Sequence, residues 1–226
     1  MTTLVLASSS KYRQQLLANI GVQADTSTPD IDETPLPNET PLALCKRLAY
    51  EKAKKIAQQH PGKIVIGSDQ VASVEGDDGR IILGKPGTVE NAVAQLSLCQ
   101  GKPVYFFTAL SLCQAPLPGT STDTDTENKT DSTNTTTEQM LCVTRAEETC
   151  VYFRSHNEVQ LRAYVEAEMP LDCAGSFKCE GMGALLFERI TSRDPNTLIG
   201  LPIMLLHDML DRHFNIDLLD LATGKA

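Results

Sequence analysis

Three consecutive serines near the start of the chain could form a binding site for phosphate. Ser8, Ser9 and Ser10 follow a short apolar segment at residues 4–7, and Arg13 comes three positions after the last serine. This order predicts a strand, a turn and then a helix that begins at about residue 11. Free amide groups at a helix start, with hydroxyls and a guanidinium beside them, suit a phosphate group. Serine is also a common N-cap residue, so the same pattern has a purely structural interpretation.

Carboxylates and a lysine occur at other predicted loops and strand ends. Asp30, Asp32 and Glu33 form one acidic segment, Asp69 follows an apolar run, and Lys85 lies in a Gly-Lys-Pro sequence. An aspartate at the end of a strand would lie at the sheet edge, where α/β proteins bind ligands. Carboxylate oxygens suit a hard divalent cation such as Mg²⁺ or Mn²⁺. Loop aspartates also bind their own backbone, so a structural role for Asp30 and Asp32 remains an equal alternative.

Several short motifs occur in order along the chain. They are Leu6-Ala7-Ser8-Ser9-Ser10 with Arg13, Asp32-Glu33, Glu51-Lys52, Gly67-Ser68-Asp69-Gln70, Gly84-Lys85-Pro86, and the segments 174–181 and 196–202. Together they resemble the Maf family of nucleoside triphosphate pyrophosphatases, over nearly the whole chain apart from about residues 114–140 and the last dozen. The resemblance implies an α/β fold with an elongated mixed β-sheet flanked by helices, and two lobes with a central cleft. We expect a single domain over residues 1–226 that carries an insertion at about 114–140.

The resemblance also implies the chemistry, which is hydrolysis of the bond between the α- and β-phosphates. It gives catalytic roles to Asp69, Lys52 and Lys85, with Asp69 as the proton acceptor. It places a divalent cation, Mg²⁺ or Mn²⁺, on Glu33 and Asp69, so metal binding competes with the proton-acceptor role of Asp69. The serine run and Arg13 would bind the substrate phosphates.

Three positions distinguish branches of the family by the base of the substrate. They are occupied here by Tyr12, Gln70 and Glu180, which matches the branch that cleaves 7-methyl-GTP; the dTTP- and UTP-specific branch usually has Arg, Thr and Gln. A glutamate can accept hydrogen bonds from the guanine N1–H and 2-amino groups, and an aromatic ring favours a cationic methylated base. One departure is Ala109, where the family commonly has glycine, and its methyl group puts the fit to substrate slightly in doubt.

We therefore expect hydrolysis of 7-methyl-GTP to 7-methyl-GMP and diphosphate, which would remove a modified nucleotide from the pool. One alternative is a dTTP/UTP pyrophosphatase of the same family. A second alternative is a non-catalytic nucleotide-binding regulator of cell division, as the family's association with septum formation suggests. The resemblance is also compatible with a homodimer.

Composition limits the partners. The 226 residues carry a formal net charge of −9, which argues against a nucleic-acid polymer but not against a small nucleotide held by a few local cations. No apolar run is long enough to span a membrane, and the chain starts without an export signal, so we expect a cytoplasmic protein. We therefore also expect the seven cysteines to be reduced, since none form a Cys-x-x-Cys pair.

The remaining pattern predicts an alternation of helices and strands with a hairpin among them, hence a mixed sheet. Helices are predicted at about residues 11–20, 41–61, 89–99, 156–168 and 202–214, and strands at about 63–68, 71–75, 80–83, 104–113, 141–154 and 184–190. Thr40 is the predicted N-cap of the second helix, and Ser155 with Glu158 is predicted to form a capping box. Residues 120–137 contain no apolar side chain, so we expect a mobile loop there.

Overall fold

A mixed β-sheet forms the centre of the fold in the computed structural model, which describes residues 4–77, 79–118 and 139–225. Its strands are β1 (Leu4–Ala7), β2 (Ala24–Ser27), β3 (Ile64–Gly76), β4 (Gly79–Leu83), β5 (Pro103–Gln114), β6 (Leu141–Phe153) and β7 (Phe187–Thr191). The order is β2-β1-β3-β5-β6-β7, and β4 pairs with β3 as a hairpin. Strand β1 is parallel to β2 and β3, whereas all other pairs are antiparallel. The predicted mixed α/β sheet is therefore confirmed.

Strand β3 differs from the prediction of two separate strands. It is continuous over 13 residues, because β5 pairs with it from Ile64 opposite Gln114 to Val74 opposite Val104. Asp69 consequently lies within a strand and not just past its end. The parallel pairing with β1 stops at Gly67, however, so Asp69 still lies just beyond the edge of the parallel part of the sheet.

Six α-helices flank the sheet in the described part of the chain. They are α1 (Lys11–Asn19), α2 (Pro41–Gln59), α3 (Val89–Cys99), α4 (Glu158–Glu168), α5 (Ile203–Phe214) and α6 (Leu218–Thr223), and a 3₁₀ turn at Met182–Leu186 precedes β7. Thr40 caps α2 as predicted, since its side chain accepts from the amide of Ala43. The predicted capping box was misplaced by two residues: Asn157 and Gln160 cap α4 reciprocally. Strand β2 and helix α6 were not predicted.

The hydrophobic core has two main parts, at opposite ends of the long strands. One lies around Ile64 and Ile66 and packs against α1, α5 and α6. The other lies around Val74 and packs against α3 and α4, with edge-to-face contacts among Phe106, Phe177 and neighbouring aromatic rings. This division agrees with the expected two lobes.

Two cysteines correct the expectation of reduced thiols. Cys113 on β5 and Cys142 on β6 are opposite each other in the strand register and form a disulfide, whereas the other five cysteines are free. Pairing across two strands 29 residues apart has no local sequence signature, which is why the spacing analysis missed it.

Most of the predicted insertion lies outside the described residues, which stop at residue 118 and resume at 139, so the expected mobile loop stays a prediction. Among the described residues, none of the helices has the length and apolar character needed to cross a membrane.

Candidate active site

A cleft of about 930 Å³ lies where the two parts of the core meet. Ten of the predicted site residues line it, and they come from five separate segments of the chain. They are Ser8, Ser9, Ser10, Tyr12, Arg13, Glu33, Lys52, Asp69, Gln70 and Lys85. The structure therefore brings together residues that are up to 77 positions apart in the sequence.

The turn between β1 and α1 forms one wall of the cleft. Ser10 is the N-cap of α1, because its hydroxyl accepts from the amide of Arg13 at 3.4 Å. Ser8 is buried, and its hydroxyl oxygen lies 3.3 Å from Arg13 Nη1. Arg13 Nε also donates to the carbonyl oxygen of Gly200 at 2.8 Å. Ser10 thus has the helix-capping role that one interpretation of the sequence gave it, and Ser8 contacts the guanidinium that the phosphate-binding interpretation uses.

Lys52 joins two carboxylates on the opposite wall. Its Nζ lies 2.7 Å from Asp69 Oδ1 and 2.6 Å from Glu33 Oε1. Lys52 and Asp69 are buried, whereas the Glu33 side chain is 54% exposed. The loop that carries Glu33 is tied to α2 by Arg47, which donates to the carbonyl oxygen of Thr34 at 3.0 Å.

This arrangement shifts the pKa values of Asp69 and Glu33 in opposite directions. Burial raises the pKa of Asp69 above its usual range, although the charges of Lys52 and Arg13 oppose the shift. Burial also acts to raise the pKa of Glu33, but its hydrogen bond and charge interaction with Lys52 outweigh that effect and leave the pKa lowered. The two carboxyls are therefore chemically distinct, and Asp69 is the more basic when ionised.

Lys85 reaches the cleft from the segment after β4 and is exposed. A methyl group at the preceding Gly84 would meet no protein atom within 4 Å, and its φ is not positive. Lys85 is thus an exposed cation at the edge of the cleft.

A small pocket of about 60 Å³ continues the cleft at one end. Tyr12, Gln70 and Glu180 line it together, as predicted for the base-reading positions, with Phe106 and Phe177 behind them. Burial, followed by the charges of Cys173, Asp172 and Glu180, raises the pKa of Tyr12 to about 12, so its phenol stays protonated. The pocket therefore combines an aromatic face, an amide and a carboxylate.

Ala109 does not reach the substrate cleft. It is fully buried and packs in a cluster with Cys45 and Leu48 of α2. The doubt that its methyl group raised about substrate fit therefore has no support in the geometry.

The sequence analysis did not single out several residues that shape the site. Gly200 offers its carbonyl oxygen to Arg13 and also to Ser68 Oγ, at 2.9 Å. Asp194 is fully buried and holds the loop before α5, accepting from the amides of Asn196 at 2.8 Å and Met204 at 2.7 Å. The motif at residues 196–202 marked this loop, but its sequence carries no signal for which backbone atoms face the cleft.

A divalent cation is compatible with the donor set at Glu33 and Asp69. Among the residues that the structure describes, no group of three or more His, Cys, Asp or Glu side chains could hold a metal on its own. Mg²⁺ commonly binds through only one or two carboxylates and takes its other ligands from substrate phosphates and water. Two carboxylates beside an open cleft therefore fit a cation that arrives with a polyphosphate, not a resident ion in a closed cage.

Comparison with solved structures gives weak similarity. A HAM1 protein from Coxiella burnetii is 14% identical, with 81% of this chain and 91% of that chain covered and a TM-score of 0.37. The Ham1 protein of Staphylococcus aureus is 17% identical, with 92% and 98% covered and the same TM-score of 0.37. A TM-score of 0.37 is too low to support an inference.

Comparison by sequence is far more specific. A protein named 7-methyl-GTP pyrophosphatase from Alcanivorax borkumensis is 43% identical over 208 residues, which cover 92% of this chain and 92% of that protein. A protein of the same name from Aliivibrio fischeri is 43% identical over 209 residues, which cover 92% of this chain and 95% of that protein. A protein of the same name from Aromatoleum aromaticum is 42% identical over 207 residues, covering 92% of this chain and 93% of its own. The family described as Maf-like protein matches residues 3–213. The chain therefore belongs to the Maf-like protein family.

Proposed function

We propose that this protein is a nucleoside triphosphate pyrophosphatase that hydrolyses 7-methyl-GTP to 7-methyl-GMP and diphosphate. The observation that carries the proposal is the direct continuity of two environments. A charged cleft with Arg13, Lys52 and Asp69 opens into a pocket with Tyr12 and Glu180. The relatives that bear the name of this activity are 41–43% identical over most of the chain, and they support the same substrate.

The base pocket favours a cationic purine. Glu180 has two acceptor oxygens for the N1–H and 2-amino donors of guanine, and its charge attracts the positive methylated ring. The face of Tyr12 adds a cation–π attraction of roughly 0.5–2 kcal/mol, depending on how far water is excluded. A uracil or thymine presents carbonyl oxygens on both sides of its one N–H group and would place them near the Glu180 carboxylate.

The cleft supplies the groups that hydrolysis needs. Water attacks the phosphorus of the α-phosphate, the bond from that phosphorus to the bridging oxygen breaks, and diphosphate leaves with the bridging oxygen. Asp69 takes a proton from the attacking water, and its raised pKa makes it a better base than an ordinary aspartate. Arg13, Lys52 and Lys85 offset the negative charge that gathers on the phosphate oxygens.

Glu33 and the second oxygen of Asp69 would hold a divalent cation, Mg²⁺ or Mn²⁺. When bound, that cation would neutralise phosphate charge and help to orient the diphosphate leaving group. The chain's own contribution is the Lys52 ammonium, which keeps both carboxylates in place at 2.6 and 2.7 Å.

A substrate panel tests this proposal. The purified protein is incubated with 7-methyl-GTP, GTP, dTTP and UTP in the presence of Mg²⁺ or Mn²⁺, and diphosphate and orthophosphate are measured separately. We expect diphosphate release, fastest with 7-methyl-GTP. Release of orthophosphate would contradict the proposed bond cleavage, and a preference for dTTP or UTP would assign the pyrimidine-specific activity instead. Nucleotide binding without turnover in the presence of metal would indicate a regulator.

A further inference from the structure

The side-chain amide of Gln70 has only one orientation that its surroundings allow. Its Nε2 lies 3.0 Å from the carbonyl oxygen of Thr197 and 3.1 Å from that of Leu198. Backbone carbonyl oxygens can only accept hydrogen bonds, so the amino end of the amide must face them. The carbonyl oxygen, Oε1, is consequently turned away from this loop. Gln70 lines both the cleft and the small pocket.

Thr108 reinforces this orientation from the neighbouring strand. It lies directly opposite Gln70 in the register of β3 and β5, and its side chain is fully buried. Its hydroxyl donates to the carbonyl oxygen of Thr197 at 3.0 Å, which uses its one hydrogen. The hydroxyl oxygen can therefore only accept from Gln70 Nε2, also at 3.0 Å. Thr108 thus contacts both the amide and one of the carbonyls that hold it.

The loop that carries these carbonyls is itself anchored. Thr197 is fully buried, and its hydroxyl lies 3.2 Å from Glu147 Oε2. Glu147 forms an ion pair with Arg193 at 2.8 Å. Because these contacts fix the loop, the amide of Gln70 cannot turn over without leaving buried groups unpaired.

We propose that Gln70 Oε1 faces the base pocket as a hydrogen-bond acceptor and that Thr108 is a positioning residue that helps to hold it in this orientation. With Gln70 Oε1 and the Glu180 carboxylate both accepting, the pocket selects bases that present two adjacent N–H donors, and it rejects bases that present a carbonyl oxygen or a bare hydrogen there. The inference rests on the proposed function in that the ligand is taken to be a nucleotide. It adds the role of Gln70 as an acceptor for the base and the role of Thr108 in supporting that orientation.

The test uses equilibrium binding of monophosphates, which the enzyme does not cleave. GMP and IMP differ only in the 2-amino group, so their affinity ratio, measured by calorimetry on the full chain, reports whether that donor is read. We expect GMP to bind about 10-fold more tightly than IMP, the scale of one buried hydrogen bond. Equal affinities, or no binding of GMP, would overturn the assignment of Gln70 and Glu180 as acceptors for the base.

Substitutions of Thr108 test the positioning role. Thr108→Val keeps the shape and removes the hydroxyl, and we expect the GMP-to-IMP ratio to fall at least ~3-fold. Thr108→Ser keeps the hydroxyl and should retain the wild-type ratio. Thr108→Ala also removes the hydroxyl, and it replaces the valine variant if that variant does not fold. An unchanged ratio in the variant that lacks the hydroxyl would overturn the role of Thr108. Since no turnover is measured, a protein that discriminates GMP from IMP but fails to cleave 7-methyl-GTP would refute only the proposed function.

Discussion

At the scale of single residues, Lys52 determines the electrostatics of the cleft. One ammonium contacts a buried and an exposed carboxylate, and the two carboxyls respond differently because only Asp69 loses most of its water. A buried carboxylate that holds its proton more strongly and lies in a cleft beside the turn between β1 and α1 has the properties of a general base. Three predictions about residues follow from this and from the base pocket.

Asp69→Asn preserves the size of the side chain but removes the charge that accepts a proton or binds a metal. We expect turnover to fall at least ~100-fold, the scale of general acid–base catalysis, while nucleotide binding is largely kept. Steady-state kinetics with 7-methyl-GTP measure turnover, and calorimetry with 7-methyl-GMP measures nucleotide binding separately. Full activity in the variant would show that another group activates the water.

Glu180→Gln places an amide donor against the guanine donors and removes the charge that attracts a methylated base. We expect catalytic efficiency on 7-methyl-GTP to fall by ~1–3 kcal/mol, the range for an unmade buried polar contact. The preference over dTTP and UTP should become smaller, which the same kinetic assay measures on all three substrates. An unchanged selectivity ratio would mean that Glu180 does not read the base.

The acidic limb of the pH–rate profile should report the pKa of Asp69. Turnover falls as the pH drops through that pKa, because the carboxylate becomes protonated and can no longer accept a proton. Since the Lys52 charge lowers this pKa, Lys52→Met should move the limb to higher pH as well as reduce the rate. Lys54→Met, on the exposed side of the same helix, is the matched control and should leave the limb in place. A limb that stays fixed in both variants would exclude Asp69 as its source.

At the scale of elements, the close packing of helix α2 on strand β3 brings Lys52 to Asp69. Gly67 makes this possible, because it lies beneath Ala49 and Ala53 at the point where the helix crosses the strand. A methyl group at Gly67 would overlap the carbonyl oxygen of Ala49 and the amide nitrogen of Ala53. The helix would have to move away from the strand, and with it the ammonium.

Gly67→Ala should therefore reduce both stability and activity. We expect a loss of ~1–3 kcal/mol in the free energy of unfolding, as is usual for overpacking, together with reduced turnover. Denaturant unfolding measures the free energy of unfolding, and the diphosphate assay measures turnover. Gly84→Ala is the matched control for stability, because its methyl group would meet no atom within 4 Å. Equal stability of the two variants would show that α2 can shift without cost.

At the scale of the whole molecule, the cleft gathers several cationic side chains in a protein of net charge −9. The cations Arg13, Lys52 and Lys85 come from different segments and meet only where the two parts of the core join. The strands on either side of the insertion pair with each other as far as Gln114 opposite Leu141.

Deletion of residues 120–137 should leave activity and melting temperature nearly unchanged. The flanking strand ends are adjacent, so a shorter connection can join them, and the length of a surface loop has little effect on closure entropy. Thermal unfolding and the diphosphate assay of the shortened protein test this. A large loss in either measurement would mean that the insertion packs on the body or covers the cleft.

The amino-acid sequence alone determined the local elements and the residue types of the site. Periodicity and capping residues located α2 and α3, because apolar spacing and N-caps such as Thr40 act within a few residues. The ordered motifs named the candidate residues from Ser8 to Glu180, since each motif is contiguous in the chain. These features depend on short-range chemistry, which a single sequence displays directly.

Only the tertiary structure decided the relations between distant segments. Strand register placed Cys113 opposite Cys142 and made β3 one strand through Asp69, and neither pairing has a local signal. The Gly200 carbonyl beside Arg13 and the amide orientation of Gln70 depend on backbone atoms, which every residue has and no motif can distinguish. Long-range pairing is a collective result of packing the whole sheet, and for that reason it appeared only when the chain was folded.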